Sequence, residues 1–292
     1  MKRFLKTACV LLSVLMLFAA FMTLAACEDL KTVNVKVSVY DASSEKMVEK
    51  TVKITLYRHL ADDTVDAITD YINKGYYNDL VLYKNTESNT QQIMIGDLNY
   101  KNGQVVDYAS SVSYVHAIAP EFNAAGVTGS DLKNTEGSIG LWRTWLANGS
   151  FSSNVDAAFN SGWSTLFMPT TDINSYNGYF TVFGKIELTD EETSEAVALV
   201  KNVLNSGKEG EQIAYYTVFY TGEYGNLVYN CMPSDEFDEQ YASDEDFKNS
   251  VFAAEGEQFV SFNRRKIVVP VGDLGKGGDK VITAKIVSVT LA

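Results

Sequence analysis

The side chains that most often bind metals or act as nucleophile–base pairs are few in this sequence. His59 and His116 are the only histidines, and Cys9, Cys27 and Cys231 are the only cysteines. None of them stands at the short spacing that zinc ligands use, and two distant histidines give little basis for a nucleophilic triad. We therefore predict no metal site, no cofactor and no histidine-based nucleophilic chemistry.

Cys27 is a candidate for a different chemistry, which is acylation. Three basic residues among the first six precede an uncharged, mainly apolar run over residues 7–26, and this run ends in Leu-Ala-Ala directly before Cys27. A basic start, an apolar middle and small residues before a cleavage point are typical of a secretory signal. The ending is similar to the lipobox of bacterial lipoproteins, whose Cys becomes the acylated N-terminus.

We therefore predict a lipoprotein signal peptide over residues 1–26 and a lipid anchor on Cys27. This anchor would hold the protein on the extracytoplasmic face of a bacterial cell membrane, with residues 27–32 as a short tether. The alternative interpretation is an uncleaved membrane helix, because about twenty apolar residues can span a bilayer.

The charge of the chain argues against nucleic acid as a partner. The formal net charge is −13, and loss of the three basic residues in the signal would leave 21 basic against 37 acidic residues, or −16. The basic cluster at residues 264–266 is too short to outweigh repulsion from phosphates. We expect the acidic surface to favour solubility.

A strand, a helix and a second strand are predicted over residues 52–84. Val52, Ile54 and Leu56 alternate with polar residues, which is the period of a half-buried strand. The helix that follows has an apolar stripe, with Asp63 as its predicted N-cap and Gly75 as the left-handed residue that ends it. An apolar segment before Lys84 then returns the chain to the sheet.

Two further strands are predicted to complete the sheet. Val33–Tyr40 alternates cleanly and turns back towards the Val52 strand, which indicates a hairpin. Val281–Leu291 alternates in the same way and is expected to pair antiparallel with Val33–Tyr40. That pairing would close a barrel, and closure removes free sheet edges.

Three segments resemble the cyclophilin-type peptidyl-prolyl isomerases. Residues 131–141 are similar to that family's Leu-Lys-His-x-x-Gly-x-(Ile/Leu)-Ser-Met segment, and residues 160–168 to its Asn-Ser-x-x-Ser-Gln-Phe-Phe-Ile segment. Residues 177–186 are similar to its Asp-Gly-x-His-x-Val-Phe-Gly-Lys-Val segment, with Val-Phe-Gly-Lys intact. The resemblance implies a mainly β fold over residues 33–292, a closed antiparallel β-barrel with two flanking helices, and a C-terminal insertion at about 208–270.

The resemblance also implies a site for proline-containing peptides. The strand that carries Phe-His-Arg in the family carries Leu82, Tyr83 and Lys84 here, so Lys84 stands for the catalytic Arg. The candidates for the proline pocket or peptide groove are Phe167, Met94, Phe180, Trp142, Arg143, Thr165 and Tyr176. Met94 replaces a Gln of the family, Phe180 replaces the pocket His, and Trp142 replaces a small Ala. The Trp142 indole would therefore either block the groove or give it a new surface.

These substitutions bear on catalysis because rotation about Xaa-Pro must cross a barrier of about 18–20 kcal/mol. In the family an Arg stabilises the twisted amide, whereas Lys lacks the planar fork of Arg. Losing one preorganised donor typically costs about a hundred to a thousandfold in rate, so we expect weak or absent turnover on a generic Xaa-Pro peptide. The alternative interpretations are that Lys84 is an exposed strand lysine and that Phe167 is a core residue.

Three functions stay open at this point. The first is a membrane-anchored peptidyl-prolyl isomerase that assists the folding of secreted proteins, with proline-containing polypeptides as clients. The second is a catalytically weak or inactive relative that binds peptides or a protein partner. The third is an unrelated solute-binding lipoprotein.

Overall fold

The computed structural model describes residues 29–85, 92–101, 104–108, 111–126, 132–143, 162–205, 212–221, 227–233, 239–240, 243, 246, 261–273 and 280–292. Its helices are Asp62–Asn73 (α1) and Glu191–Asn205 (α2). Its strands are Leu30–Asp41 (β1), Lys46–Tyr57 (β2), Tyr83–Asn85 (β3), Gln92–Ile95 (β4), Leu98–Lys101 (β5), Gln104–Asp107 (β6), Ser138–Leu141 (β7), Leu166–Pro169 (β8), Val182–Ile186 (β9), Gln212–Thr221 (β10), Leu227–Pro233 (β11), Ser261–Asp273 (β12), Lys280–Ile282 (β13) and Ala284–Leu291 (β14).

Most of these strands form one sheet. Its order is β11-β10-β12-β3-β4-β8-β7-β9-β2-β1-β14, with β13 paired to β12, while β5 and β6 form a separate hairpin. The predicted mainly β class with two α-helices is confirmed for the described residues.

The alternation of valines in β1 accounts for its place in the sheet. Val33, Val35, Val37 and Val39 are all buried, because every second side chain of a strand points to the same face. β1 pairs antiparallel with β2 on one side and with β14 on the other, from Val33 opposite Leu291 to Val39 opposite Ala284. The predicted hairpin and the predicted pairing of the last strand are confirmed.

Two boundaries differ from the prediction. β1 begins at Leu30, which lies opposite Tyr57, so residues 30–32 belong to the strand and not to a tether. The segment Lys280–Ile282 pairs with β12 instead of β1, so the last strand begins at Ala284. The two causes differ: the valine alternation begins only at Val33, so it did not extend the strand back to Leu30, whereas Ile282, Ala284 and Ile286 continue one alternation across the second boundary and hid it.

The segment before β3 lies beside β14. The Leu82 amide donates to the Ala284 carbonyl at 3.1 Å, and the Ile286 amide donates to the Leu80 carbonyl at 2.8 Å. The sheet order contains no ladder between β3 and β14. Closure of the barrel therefore stays a prediction.

A distant carboxylate caps the N-terminus of α1. Glu121 accepts hydrogen bonds from the Asp63 amide at 3.1 Å, from the Thr64 amide at 2.8 Å and from the Thr64 hydroxyl at 2.5 Å. The predicted N-cap at Asp63 is wrong, since the helix already begins at Asp62 and the partner of its first amides lies 57 positions away. The helix ends as predicted before Gly75, whose φ is +70°.

The predicted signal peptide over residues 1–26 and the lipid anchor at Cys27 lie outside the described residues. Among the helices that the structure describes, none has the length and apolar character needed to cross a bilayer.

Candidate functional site

Four residues, two of them predicted site residues, form one row across the sheet. Tyr83 of β3 lies opposite Met94 of β4, Met94 opposite Phe167 of β8, and Phe167 opposite Gly140 of β7. Directly opposed residues of an antiparallel sheet share a face, so these side chains are neighbours. Gly140 leaves room for the Phe167 ring, because a Cβ at this position would lie 2.4 Å from that ring.

Three more aromatic side chains pack on this row. The Phe180 ring stacks on Trp142 at 5.4 Å and on Tyr176 at 4.4 Å between ring centroids, and it meets Phe167 edge-on at 5.3 Å. Such offset and edge-to-face pairs stabilise aromatic clusters beyond the area that they bury. The structure thus brings together Phe167, Met94, Phe180, Trp142 and Tyr176, which we call the aromatic cluster.

Short turns and main-chain bonds place the outer members of the aromatic cluster. The Trp142 amide, just after β7, donates to the Thr165 carbonyl just before β8 at 2.8 Å. Gly178, with φ +79°, makes the turn that leads to Phe180. The half-buried Thr165 therefore contributes a backbone acceptor to the site, although its side chain does not belong to the apolar cluster.

The aromatic cluster is a second hydrophobic core and not an open groove. Met94 and Phe167 are 0% exposed, and Trp142 is the most exposed of the five at 7%. Apolar residues of the β5–β6 hairpin and of β12 are buried in the same cluster, namely Leu98, Val105, Ile267, Val269 and Val271. With at most 7% of any of these five side chains exposed, the cluster offers little surface to a proline ring in this conformation.

Tyr83 is a site residue that the sequence analysis missed. It is fully buried, and its hydroxyl donates to both carboxylate oxygens of buried Asp97 at 2.8 Å. Alternation along the strand places Tyr83 and Lys84 on opposite faces, and the pairing of β3 with β4 decides which of the two faces the pocket. If Met94 faces the pocket, its opposed neighbour Tyr83 faces the pocket too, and Lys84 faces away.

Lys84 lies apart from the aromatic cluster. It is opposed to Ile93, one row away, and its ammonium group donates to the Asn205 side-chain oxygen at 2.7 Å, at the C-terminal end of α2. The predicted grouping of Lys84 with the pocket residues is therefore not what the structure shows. The reason is the strand period of two, which sends the side chains of Tyr83 and Lys84 to opposite faces.

Arg143 is the buried cation nearest in sequence to the cluster. Its guanidinium carbon lies 3.9 Å from the centroid of the Phe122 ring, which is a cation–π contact outside the aromatic cluster. Burial lowers the pKa of Arg143 to about 9. This contact joins the end of β7 to the segment that carries Phe122 and Glu121.

A family model identifies the class of the protein. The family model of the cyclophilin-type peptidyl-prolyl cis-trans isomerases (Cyclophilin type peptidyl-prolyl cis-trans isomerase/CLD) matches residues 41–213, which is more than half of the chain. The chain belongs to this family, and its fold is cyclophilin-like. The match ends at the start of β10, close to the beginning of the predicted insertion.

Solved structures with a detectable likeness include two of Cryptosporidium parvum cyclophilin type peptidyl-prolyl cis-trans isomerase. One, in the presence of the dipeptide Ala-Pro, has 17% sequence identity and a TM-score of 0.37, and the likeness covers 61% of this chain and 88% of that one. The other has 16% identity and the same TM-score, with 62% and 88% covered. No curated protein matches the chain. The family assignment therefore rests on the family model.

Proposed function

We propose that this protein is a lipid-anchored, extracytoplasmic cyclophilin-like protein that binds polypeptides and does not turn over ordinary Xaa-Pro peptides. The observation that supports this proposal most strongly is the burial of the pocket positions. Met94 and Phe167 are 0% exposed within a packed core, where an isomerase needs a surface that receives the proline ring.

The donors around the cluster support the same proposal. Catalysis requires a preorganised group that is aimed at the twisted amide and stabilises it more than the planar one. The Tyr83 hydroxyl is directed to Asp97, and the Lys84 ammonium group to Asn205. Met94 and Phe180 carry no side-chain donor where the family has Gln and His.

The second candidate is peptidyl-prolyl isomerisation that assists the folding of secreted proteins. It is favoured by the family match and by the position of Phe167 in the row of Tyr83 and Met94. This function requires a conformation in which the cover over the cluster opens. Proline-containing polypeptides would then be the clients.

A protease-coupled assay of Xaa-Pro isomerisation separates the two candidates. We expect the wild type, Lys84→Ala and Lys84→Arg to give the same rate as buffer, because Lys84 lies on the opposite face from the cluster. An ordinary cyclophilin assayed in parallel shows that the assay responds. Wild-type turnover at the rate of that control, lost in Lys84→Ala, would establish isomerase activity and Lys84 as its cation.

The anchor at Cys27 gives a separate prediction. Cells that express the protein and are fed a labelled fatty acid should incorporate label into the wild type and not into Cys27→Ala, because the proposed acylation requires this cysteine. Cys231→Ala is the matched control and should keep the label. Equal labelling of wild type and Cys27→Ala would contradict the lipid anchor and, with it, the proposed membrane location.

We also infer that the strands from β3 round to β14 close into a barrel. The two hydrogen bonds that join Leu80 and Leu82 to β14 support this inference, since they lie where the two ends of the eight-strand part of the sheet meet.

A further inference from the structure

We propose that an open cleft on another side of the protein binds an acidic polypeptide segment that also carries apolar side chains. This inference rests on the proposed binding function and names its site. The cleft, which we call the tyrosine cleft, lies between the β5–β6 hairpin, the turn after α1 and the segment β13–β14. Its walls include Tyr100, Tyr108, Lys101, Lys285, Asp79 and Val281.

The size of the tyrosine cleft suits a ligand. Its volume is about 840 Å³, within the range of about 300–1,000 Å³ that is common for binding sites. The aromatic cluster, in contrast, is closed. Of the two places, only the tyrosine cleft offers open volume between well-formed elements.

The charge of the cleft differs from the charge of the whole protein. Among the described lining residues, Lys101 and Lys285 are basic and Asp79 is the one carboxylate, whereas the chain as a whole has a net charge of −13. The Lys285 ammonium lies 3.4 Å from Asp79, and the Lys285 side chain remains 41% exposed. A local excess of positive charge in a concave site attracts anionic groups.

Apolar surface accompanies these cations. Val281 is 37% exposed, and among the described large hydrophobic residues only Leu30 and Leu291 are similarly exposed. The Tyr108 ring packs at 5.3 Å from the buried Tyr76 ring, which holds it in place, and the Lys101 ammonium lies 5.7 Å from the Tyr108 centroid. Fixed tyrosines give contact area at a low entropy cost.

The hydrogen bonds of the two asparagine side chains in the cleft indicate which kind of anionic ligand fits. The Asn78 oxygen accepts the Val289 amide at 3.1 Å, and the Asn99 oxygen accepts the Tyr100 amide at 2.7 Å. These two acceptors serve the protein's own backbone. The charged donors of the cleft are Lys101, beside the Tyr108 ring, and Lys285, beside Asp79, and both positions accompany apolar surface. Carboxylates alternating with apolar side chains match that set, and two lysines are too few to hold a nucleic acid on an acidic protein.

The test uses fluorescence anisotropy with the full mature chain and a short labelled peptide that alternates Glu with Leu and Tyr. The comparison variant is Lys101→Glu combined with Lys285→Glu. The matched control is Lys133→Glu combined with Lys185→Glu, which changes the net charge equally at two exposed positions outside the cleft. Thermal melts of all three proteins establish that the variants are folded.

We expect the wild type to bind the Glu peptide more tightly than the same peptide with Gln in place of Glu. The cleft variant should bind the Glu peptide at least about tenfold more weakly, whereas the control should stay within about twofold. Equal weakening in both variants would overturn the proposal, because the effect would then come from net charge alone. Binding that is unchanged in the cleft variant would overturn it as well.

The proposed function itself has a distinguishable failure. A reduced, alkylated protein that cannot fold serves as a general polypeptide probe in the same assay. Binding of this probe without binding of the Glu peptide would overturn the tyrosine cleft and leave the polypeptide-binding function standing. Absence of binding to any of the peptides and to the unfolded protein would overturn both.

Discussion

Replacing Gly96 with Ala is expected to lower the free energy of unfolding by at least about 3 kcal/mol. Gly96 has φ +113°, a conformation that side chains rarely adopt, and a Cβ there would lie 2.2 Å from the Ser164 carbonyl oxygen. That oxygen belongs to the backbone and also accepts a hydrogen bond from the Tyr77 hydroxyl at 3.0 Å. Moving it away from a Cβ would therefore cost backbone distortion and weaken this hydrogen bond. The Gly96 carbonyl in turn accepts the Tyr76 hydroxyl at 2.5 Å.

Gly126→Ala is the matched control for this substitution. Gly126 also has a positive φ, +76°, but a Cβ there would meet nothing within 4 Å. The conformational cost alone should then appear, which is about 1–2 kcal/mol. Guanidinium denaturation of the two variants measures the difference, and equal losses at the two positions would show that the contact with Ser164 is unimportant.

Deleting β14 is expected to abolish cooperative unfolding altogether. Ala284, Ile286 and Val289 are buried, and each larger aliphatic side chain contributes about 1.5–3 kcal/mol by burial. The deletion also removes the hydrogen-bonded ladder with β1. Since a domain is stable by only about 5–15 kcal/mol, these losses together approach the whole of that stability.

A point substitution gives a graded form of the same prediction. Ile286→Ala should lower the free energy of unfolding by about 2–5 kcal/mol, because the side chain is 1% exposed in the main core. Thr290→Ala, at an exposed position of the same strand, should change it by less than about 0.5 kcal/mol.

For the deletion, a cooperative melt that survives the loss of β14 unchanged would place this strand outside the core.

The sequence was sufficient to predict the frame of the sheet. The alternation of Val33, Val35, Val37 and Val39 specifies which side chains of β1 are buried, and a shift of one residue would expose all of them. The same period in the last strand allowed its pairing with β1 to be predicted. These signals are strong because they lie within the strands themselves.

The register of β3 could not be predicted in the same way. Lys84 was matched to the catalytic Arg of the family by its position in the sequence alone. Which side chain faces the pocket depends instead on strand pairing, and the structure pairs Tyr83 with Met94. Residues 86–91 separate β3 from β4, so no short turn type specifies the register from the sequence. A slip of one residue exchanges the two faces of the strand.

The burial of the candidate pocket residues could not be predicted from the sequence either. Its residue types, such as Phe167 and Phe180, suit both a pocket and a core, and only their surroundings decide between the two. Part of those surroundings comes from Ile267, Val269 and Val271 of β12, far along the chain. The capping of α1 by Glu121 depends on long-range proximity for the same reason.

Thiol labelling at position 94 tests most directly whether the pocket positions are closed. A protein that begins at Glu28, with Cys231→Ser and Met94→Cys, carries a single thiol at the fully buried Met94 position. Lys185→Cys in the same background is the exposed control. In native buffer we predict that the control thiol reacts with a chromogenic disulfide reagent on mixing, while Met94→Cys reacts only as denaturant unfolds the protein. Reaction of Met94→Cys at the rate of the control, slowed by an Xaa-Pro peptide, would contradict the account and reveal an open proline pocket.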